Sequence, residues 1–216
     1  MKDLLPVVAA VALLSGSAEA ANIITFSQTS GSNTVVATTN VGNTQTTLLI
    51  DDAAVNIGQL ISGAPPATSF LTLNAASNDA AATLFGAVVQ HYDGSFCITS
   101  AINCGGTNIL SGTFSDAAFG ALGGPGLVVN VNDPPDTLVL TSSLIPASEL
   151  ADPSSFSLGF SNLTPALAIV GTTIQGYTAS FAGVASASTI EVPEPASLAV
   201  LGLSLTALGF LRRRNA

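Results

Sequence analysis

Between Ser155 and Ser161 the side chains alternate: Phe156, Leu158 and Phe160 fall on one parity, and Ser155, Ser157, Gly159 and Ser161 on the other. A period of two places successive side chains on opposite faces of an extended strand, so this run can bury one face and wet the other. Tyr177 to Phe181 repeats the pattern. Further β-rich runs are Thr34 to Thr39, Thr46 to Ile50, Ser69 to Leu73, Leu127 to Val131 and Thr137 to Thr141. Turn-forming residues separate them: Val41-Gly42-Asn43, Ala64-Pro65-Pro66, Asp93-Gly94, Gly123-Gly124-Pro125-Gly126 and Asp133-Pro134-Pro135-Asp136. Asp79 to Val89 could be read as an Ala-rich helix. Gly86, Val88 and Val89 dilute helical propensity, so a strand from Leu84 to Tyr92 is the better reading. Short strands at such spacing predict an all-β domain, an antiparallel β-sandwich of jelly-roll-like type.

Charge narrows the partners. The chain has four Lys and Arg in all, and they are Lys2, Arg212, Arg213 and Arg214. The stretch from Ala21 to Ile190 therefore holds no permanent cation. Its acids are Asp51, Asp52, Asp79, Asp93, Asp116, Asp133, Asp136, Glu149 and Asp152. Nucleic acid is excluded as a partner, because phosphate contacts need Lys or Arg. Anionic lipid surfaces are excluded on the same ground. Low charge density with 48% hydrophobic residues argues for a folded body with a real core rather than disorder.

Both ends of the chain read as addresses. Met1-Lys2, the apolar run Leu4 to Leu14, the break at Ser15-Gly16-Ser17 and the small residues Ala18 and Ala20 have the layout of a secretory signal peptide. Cleavage is expected after Ala20. At the other end, Ser197 to Leu211 carries no charge and precedes Arg212-Arg213-Arg214. As a helix this segment reaches about 22 Å, a short membrane span that Ala196 and snorkelling arginines would extend. The arginines mark its cytoplasmic end. Pro193 and Pro195 keep the approach to it extended and accessible. Physics alone leaves two readings open: a plain C-terminal anchor with a proline-bearing linker, or a processing signal.

Pro193-Glu194-Pro195, an apolar helix and a terminal basic cluster, in that order and spacing, resemble the PEP-CTERM sorting signal of Gram-negative bacteria. The resemblance covers residues 192–214. It implies recognition by an exosortase, a membrane-embedded cysteine transpeptidase, after passage through the Sec export machinery. Cutting near Pro193-Glu194-Pro195 would turn a transient inner-membrane anchor into delivery to the cell surface or the extracellular matrix. The expected organisation is a signal peptide at 1–20, a β-sandwich domain at 21–188, a linker with the Pro-Glu-Pro motif at 189–195, and a transmembrane helix with its basic cluster at 196–216.

Within the body the chemistry is sparse. Cys97 and Cys104 are the only cysteines, and in an exported chain they should form one disulfide clipping a loop between strands. His91 is the only histidine, so no zinc site of several histidines can form. Its flanks predict a strand end before an Asp93-Gly94 turn. Asn130, Asn132, Asp133 and Asp136 place hard oxygens at spacings that could ligate calcium, and the same residues also suit a proline-fixed turn. Asp51-Asp52 is a weaker candidate, at a strand end, because adjacent strand residues point apart. No catalytic constellation is nominated. The body is thus expected to be non-enzymatic, structural or adhesive within an extracellular polysaccharide layer, and without a cofactor unless the calcium reading holds. The alternatives are a calcium-dependent binding module and a secreted polysaccharide-acting hydrolase using two carboxylates.

Overall fold

The computed structural model describes residues 20–29, 33–120 and 125–188. The signal peptide through Glu19, the linker with Pro193, Glu194 and Pro195, and the apolar segment with Arg212, Arg213 and Arg214 lie outside the described residues. The strands are β1 (Ala20–Gln28), β2 (Val35–Thr39), β3 (Thr46–Leu60), β4 (Ser69–Ser77), β5 (Ala82–Leu84), β6 (Ala87–Ala101) and β7 (Gly105–Phe119). They continue with β8 (Gly126–Asn130), β9 (Thr137–Thr141), β10 (Ala151–Thr164), β11 (Ile169–Val170), β12 (Thr173–Ile174) and β13 (Tyr177–Ser188). One 3-10 turn, Ala147–Glu149, precedes β10.

All pairings are antiparallel, and the wall runs β6, β4, β3, β1, β13, β10, β8, β7, with β6 and β7 pairing to close it. Two positions are shared. β1 and β2 both pair with β3 and with β13, at different heights. β8 and β9 both pair with β7, β8 at Ala118 and Phe119 and β9 from Ser111 to Ser115. Apart from the short strands β5, β11 and β12, which stand outside the wall, neighbours are therefore successive in the chain. The all-β, antiparallel expectation holds, but the jelly-roll connection does not. A jelly roll needs strands that cross from one sheet to another, whereas this chain meanders up and down and closes its first strand on its last. Closure leaves no long open edge at β1 or β13.

The interior is filled from opposite walls, which gives the closed sheet a sandwich-like cross-section. In the lower half Phe96 of β6 stacks on Phe156 of β10 with centroids 3.9 Å apart, and Phe26 lies 6.3 Å from Phe156. In the upper half Phe119 lies 6.1 Å from Tyr92, 5.9 Å from Phe160 and 5.7 Å from Tyr177. These side chains are all buried. Offset aromatic pairs at such distances add to the area they bury.

Bulges keep long strands in phase with this core. In β3, Leu48 and Ile50 are buried, then Ala53, Val55 and Ile57, so the buried parity changes at Asp51-Asp52. The pairing with β4 slips there, and Asp52 takes a left-handed φ of 44°. An extra residue flips every later side chain to the other face, and here it returns the apolar ones to the inside. Asp51-Asp52 thus lies within a strand, not at its end. The same device recurs in β7, where Leu110 and Phe114 are buried on one parity and Ala117 and Phe119 on the next, with Asp116 at φ 60° between them.

Asp93-Gly94 also corrects expectation, since both residues lie inside β6 instead of forming a turn. A Cβ on Gly94 would sit 2.5 Å from the Asn74 carbonyl oxygen and 2.8 Å from Ala75 Cα, so the glycine permits close approach of β4. The observed turn is one hairpin earlier, at Phe85-Gly86, where Leu84 pairs with Ala87. The strand expected from Leu84 to Tyr92 is therefore two strands.

Candidate functional site

The meander sorts the loops into two poles. Ala20 pairs with Ser188, and Ala151 pairs with Ser188 from the other side, so both ends of the described body meet at the lower pole. If the signal peptide is cut after Ala20, the new N-terminus is Ala21, itself paired with Ala187. The sorting segment follows from this pole. The β6–β7 hairpin shares it.

That hairpin carries the expected disulfide: Cys97 and Cys104 are joined, with Cα atoms 5.8 Å apart. Its turn is held further by Asp52, whose Oδ1 accepts the Asn103 N–H at 2.8 Å and the Thr72 hydroxyl at 2.8 Å. The bulge that corrects the phase of β3 therefore also aims a carboxylate at the disulfide hairpin. Replacing both cysteines by serine is expected to lower stability by about 2–3 kcal/mol, the range for closing so short a loop. Urea denaturation of the oxidised parent against the variant measures it.

The polar cluster lies on the side wall, where the segment between β8 and β9 passes the bulge of β7. His91 Nδ1 is 3.0 Å from Asp116 Oδ1 and 3.1 Å from the Asp116 carbonyl oxygen. Both partners accept, so Nδ1 carries the hydrogen. Asp93 Oδ1 accepts the Asp116 N–H at 2.9 Å and holds the left-handed residue in place. His91 is thus placed mid-strand against a bulge, not at a strand end. Asp116 leaves no local signal because only the bulge of β7 brings it to His91, whereas Asp93 shares a face of β6 with His91 two residues away.

Of the calcium candidates, two oxygens are engaged in the turn itself. Asn130 Oδ1 accepts the Asn132 N–H at 3.0 Å, and Asp136 Oδ2 accepts the Asn130 N–H at 2.9 Å. The Asp133 N–H donates to the Asn130 carbonyl, and the Asp136 N–H to the Asp133 carbonyl. Among the described residues no three His, Cys, Asp or Glu side chains gather as a metal-binding group.

Asp136 is held above the ordinary aspartate value of 3.8, chiefly by burial and further by the charges of Asp116 and Asp133. The Asn130 N–H and His91 pull the other way. A carboxyl raised in the folded state favours folding fully below its unfolded value and loses that contribution as pH rises through the folded value. Asp136→Asn keeps an acceptor for the Asn130 N–H and removes the charge. It should raise the melting temperature at neutral pH and leave it unchanged well below pH 3.8. Melting curves across pH test this.

The upper pole is stitched through Gln90, which is fully buried. Its Oε1 accepts the Ile174 N–H at 3.1 Å, the Tyr92 hydroxyl at 3.3 Å and the Thr46 hydroxyl at 3.4 Å, and its Nε2 donates to the Asp79 carbonyl at 2.8 Å. Burial raises the Tyr92 and Tyr177 phenols well above their ordinary value, so both stay neutral. Thr172 ties the β11–β12 hairpin to the Asn43 carbonyl through its hydroxyl at 2.9 Å. One amide side chain thus joins β3, β12 and the segment between β4 and β5.

The barrel is a closed meander whose described ends, Ala20 and Ser188, pair at one pole. Beyond it in sequence, residues 191–214 match the family model of the PEP-CTERM protein-sorting motif. The motif marks the chain as an exported protein that exosortase processes and sorts toward the cell surface. No curated protein and no solved structure matches the chain.

Proposed function

We propose that the barrel is a non-enzymatic structural or adhesive module, displayed at the cell surface or in an extracellular polysaccharide layer after Sec export and exosortase processing. The observation that carries this reading is the shared pole of Ala20 and Ser188. A tether leaving from that pole holds the upper pole outward. The filled interior supports the same role, because aromatic layers occupy the space a lipocalin-like barrel would give to a ligand. Co-sedimentation of the released protein with the cells' own extracellular polysaccharide tests it. Binding with unchanged polymer length supports the module. A shortened polymer supports a hydrolase, and free protein removes the polysaccharide role.

A calcium-dependent module is the second reading. It is favoured by the turn that gathers Asn130, Asn132, Asp133 and Asp136, in which the Asp133 N–H donates to the Asn130 carbonyl and the Asp136 N–H to the Asp133 carbonyl. Calorimetric titration with calcium decides it: heat with a raised melting temperature supports the reading, and neither removes it.

A further inference from the structure

The sorting motif begins close behind the barrel. Only residues 189–192 separate Ser188, the last residue of β13, from Pro193. Fully extended, the chain from Ser188 to Pro195 reaches at most about 25 Å. β3, with 15 residues, is about 50 Å of strand, and even when tilted it is longer than that reach. An enzyme that cuts this segment beside a folded barrel therefore meets the lower pole, and the upper pole stands beyond it.

Two loops of that pole offer it a surface. The β3–β4 loop is tied to β1 by the Ile61 N–H, which donates to the Ile23 carbonyl at 2.9 Å. It is tied to β6 by the Thr68 hydroxyl, which donates to the Ser100 carbonyl at 3.3 Å. Ala64, Pro65 and Ala67 on this loop are exposed. The β6–β7 hairpin adds Ile102, an apolar side chain that is 53% exposed. Ile102 opens a tight turn, closed by the Gly105 N–H donating to its carbonyl at 3.1 Å. Asn103 and Cys104 within the turn take left-handed φ of 57° and 51°, which suit asparagine and glycine better than cysteine. The bond to Cys97 and the Asp52 carboxylate on the Asn103 N–H hold them there. The backbone that carries Ile102 is thus fixed, so little freedom is lost when the tip docks.

Both loops are free of ionisable side chains. None lies between Asp52 and Asp79, and none between Asp93 and Asp116. Asp52, the nearest, is engaged by the Asn103 N–H and the Thr72 hydroxyl. Glu149 and Asp152 lie on the other side of the pole, at the entry to β10. A carboxylate pressed against a membrane-embedded enzyme would lose its water at a cost. These two loops present an apolar tip and no carboxylate, on the one end of the barrel that such an enzyme must approach.

We propose that the β3–β4 loop and the Ile102 tip form a docking surface for exosortase, so that its recognition extends from the sorting motif onto the folded barrel. The proposal rests on the sorting of this chain by exosortase, which replacement of Pro193, Glu194 and Pro195 tests separately. Its own test is a pulse–chase of the full chain in cells, following loss of the Arg212–Arg214 tail. Ile102→Asp and Ala64→Asp should each slow that loss by about tenfold or more. Ile102→Ser removes the apolar tip without adding charge; it should also slow the loss and melt as the parent does. Phe85→Asp, at a 95% exposed position of the upper pole, should be cut at the parent's rate. A Gly-Ser spacer of about ten residues after Ser188 frees the motif from the pole. It should slow cutting to the rate of Ile102→Asp and abolish the difference between that variant and its parent. Parent-rate cutting of the Ile102 variants overturns the proposal, and so does equal slowing by Phe85→Asp. Faster cutting with the spacer also overturns it, because the pole would then only hinder the enzyme. A last contrary result is flotation of the released barrel with vesicles of inner-membrane lipid that Ile102→Asp abolishes, which would make the bilayer the partner.

Discussion

Replacing Phe156 with Ala is expected to destabilise the barrel by about 3–5 kcal/mol, the range for removing a fully buried aromatic. Phe156 is 0% exposed and is the centre of the lower layer, stacked on Phe96 at 3.9 Å and near Phe26 at 6.3 Å. It joins β10 to β6 across the barrel, so the cavity would open between walls that are closed and cannot collapse freely. In a domain of this size the loss should lower the melting temperature by about 10 °C. Val41 is fully exposed at the upper pole. Val41→Ala should change stability by less than about 0.5 kcal/mol. Thermal and urea denaturation of the two variants beside the parent check the contrast. Equal losses in both would mean that the aromatic layer does not hold the walls together.

Replacing Pro193, Glu194 and Pro195 together by Ala should have the largest effect on where the protein goes. The motif match at residues 191–214 makes this segment the element that exosortase reads. Without it the apolar segment stays joined to the barrel, and surface delivery should fall to a small fraction of the parent's. The last described strand ends at Ser188, which is already paired with Ala20 and Ala151. Its melting temperature should therefore not move. Cell fractionation with antibody detection measures the first effect, and melting of the solubilised variant measures the second. A drop in both would mean that the substitution acts through misfolding, not through recognition.

The fold was legible where alternation runs unbroken. Thr137–Thr141 was bounded as it stands, and Phe156, Leu158 and Phe160 point inward as their period implies. Longer strands were cut short because a bulge resets the phase. Thr46 to Ile50 is only the first part of a strand that runs to Leu60, and Asp51-Asp52 reads as its end unless the later apolar residues are counted on the other parity. β1 was missed because Ile23 and Ile24 are adjacent and both buried at a register shift, which hides the period of two. Pairing order was not legible at all, since periodicity says which face is apolar and nothing about which strand lies beside it.

The sites divide in the same way. The sorting motif is linear, so its order and spacing are complete in the sequence. The disulfide between Cys97 and Cys104 needed only two cysteines and an exported setting. The contact of His91 with Asp116 is made by the bulge in β7, and Gln90 gains Thr46 and Ile174 as partners from distant parts of the chain. Neither leaves a local signal.

The most direct test of the account is the intact mass, with both terminal sequences, of the protein recovered from the surface and inner-membrane fractions of cells with and without exosortase. The account predicts an N-terminus at Ala21 in both. With exosortase, the recovered chain should end near Pro193–Pro195 and lack Arg212 to Arg214. Without it, the tail should persist and the protein should remain in the inner membrane. Tail-free protein reaching the surface in equal amount from both strains would contradict it.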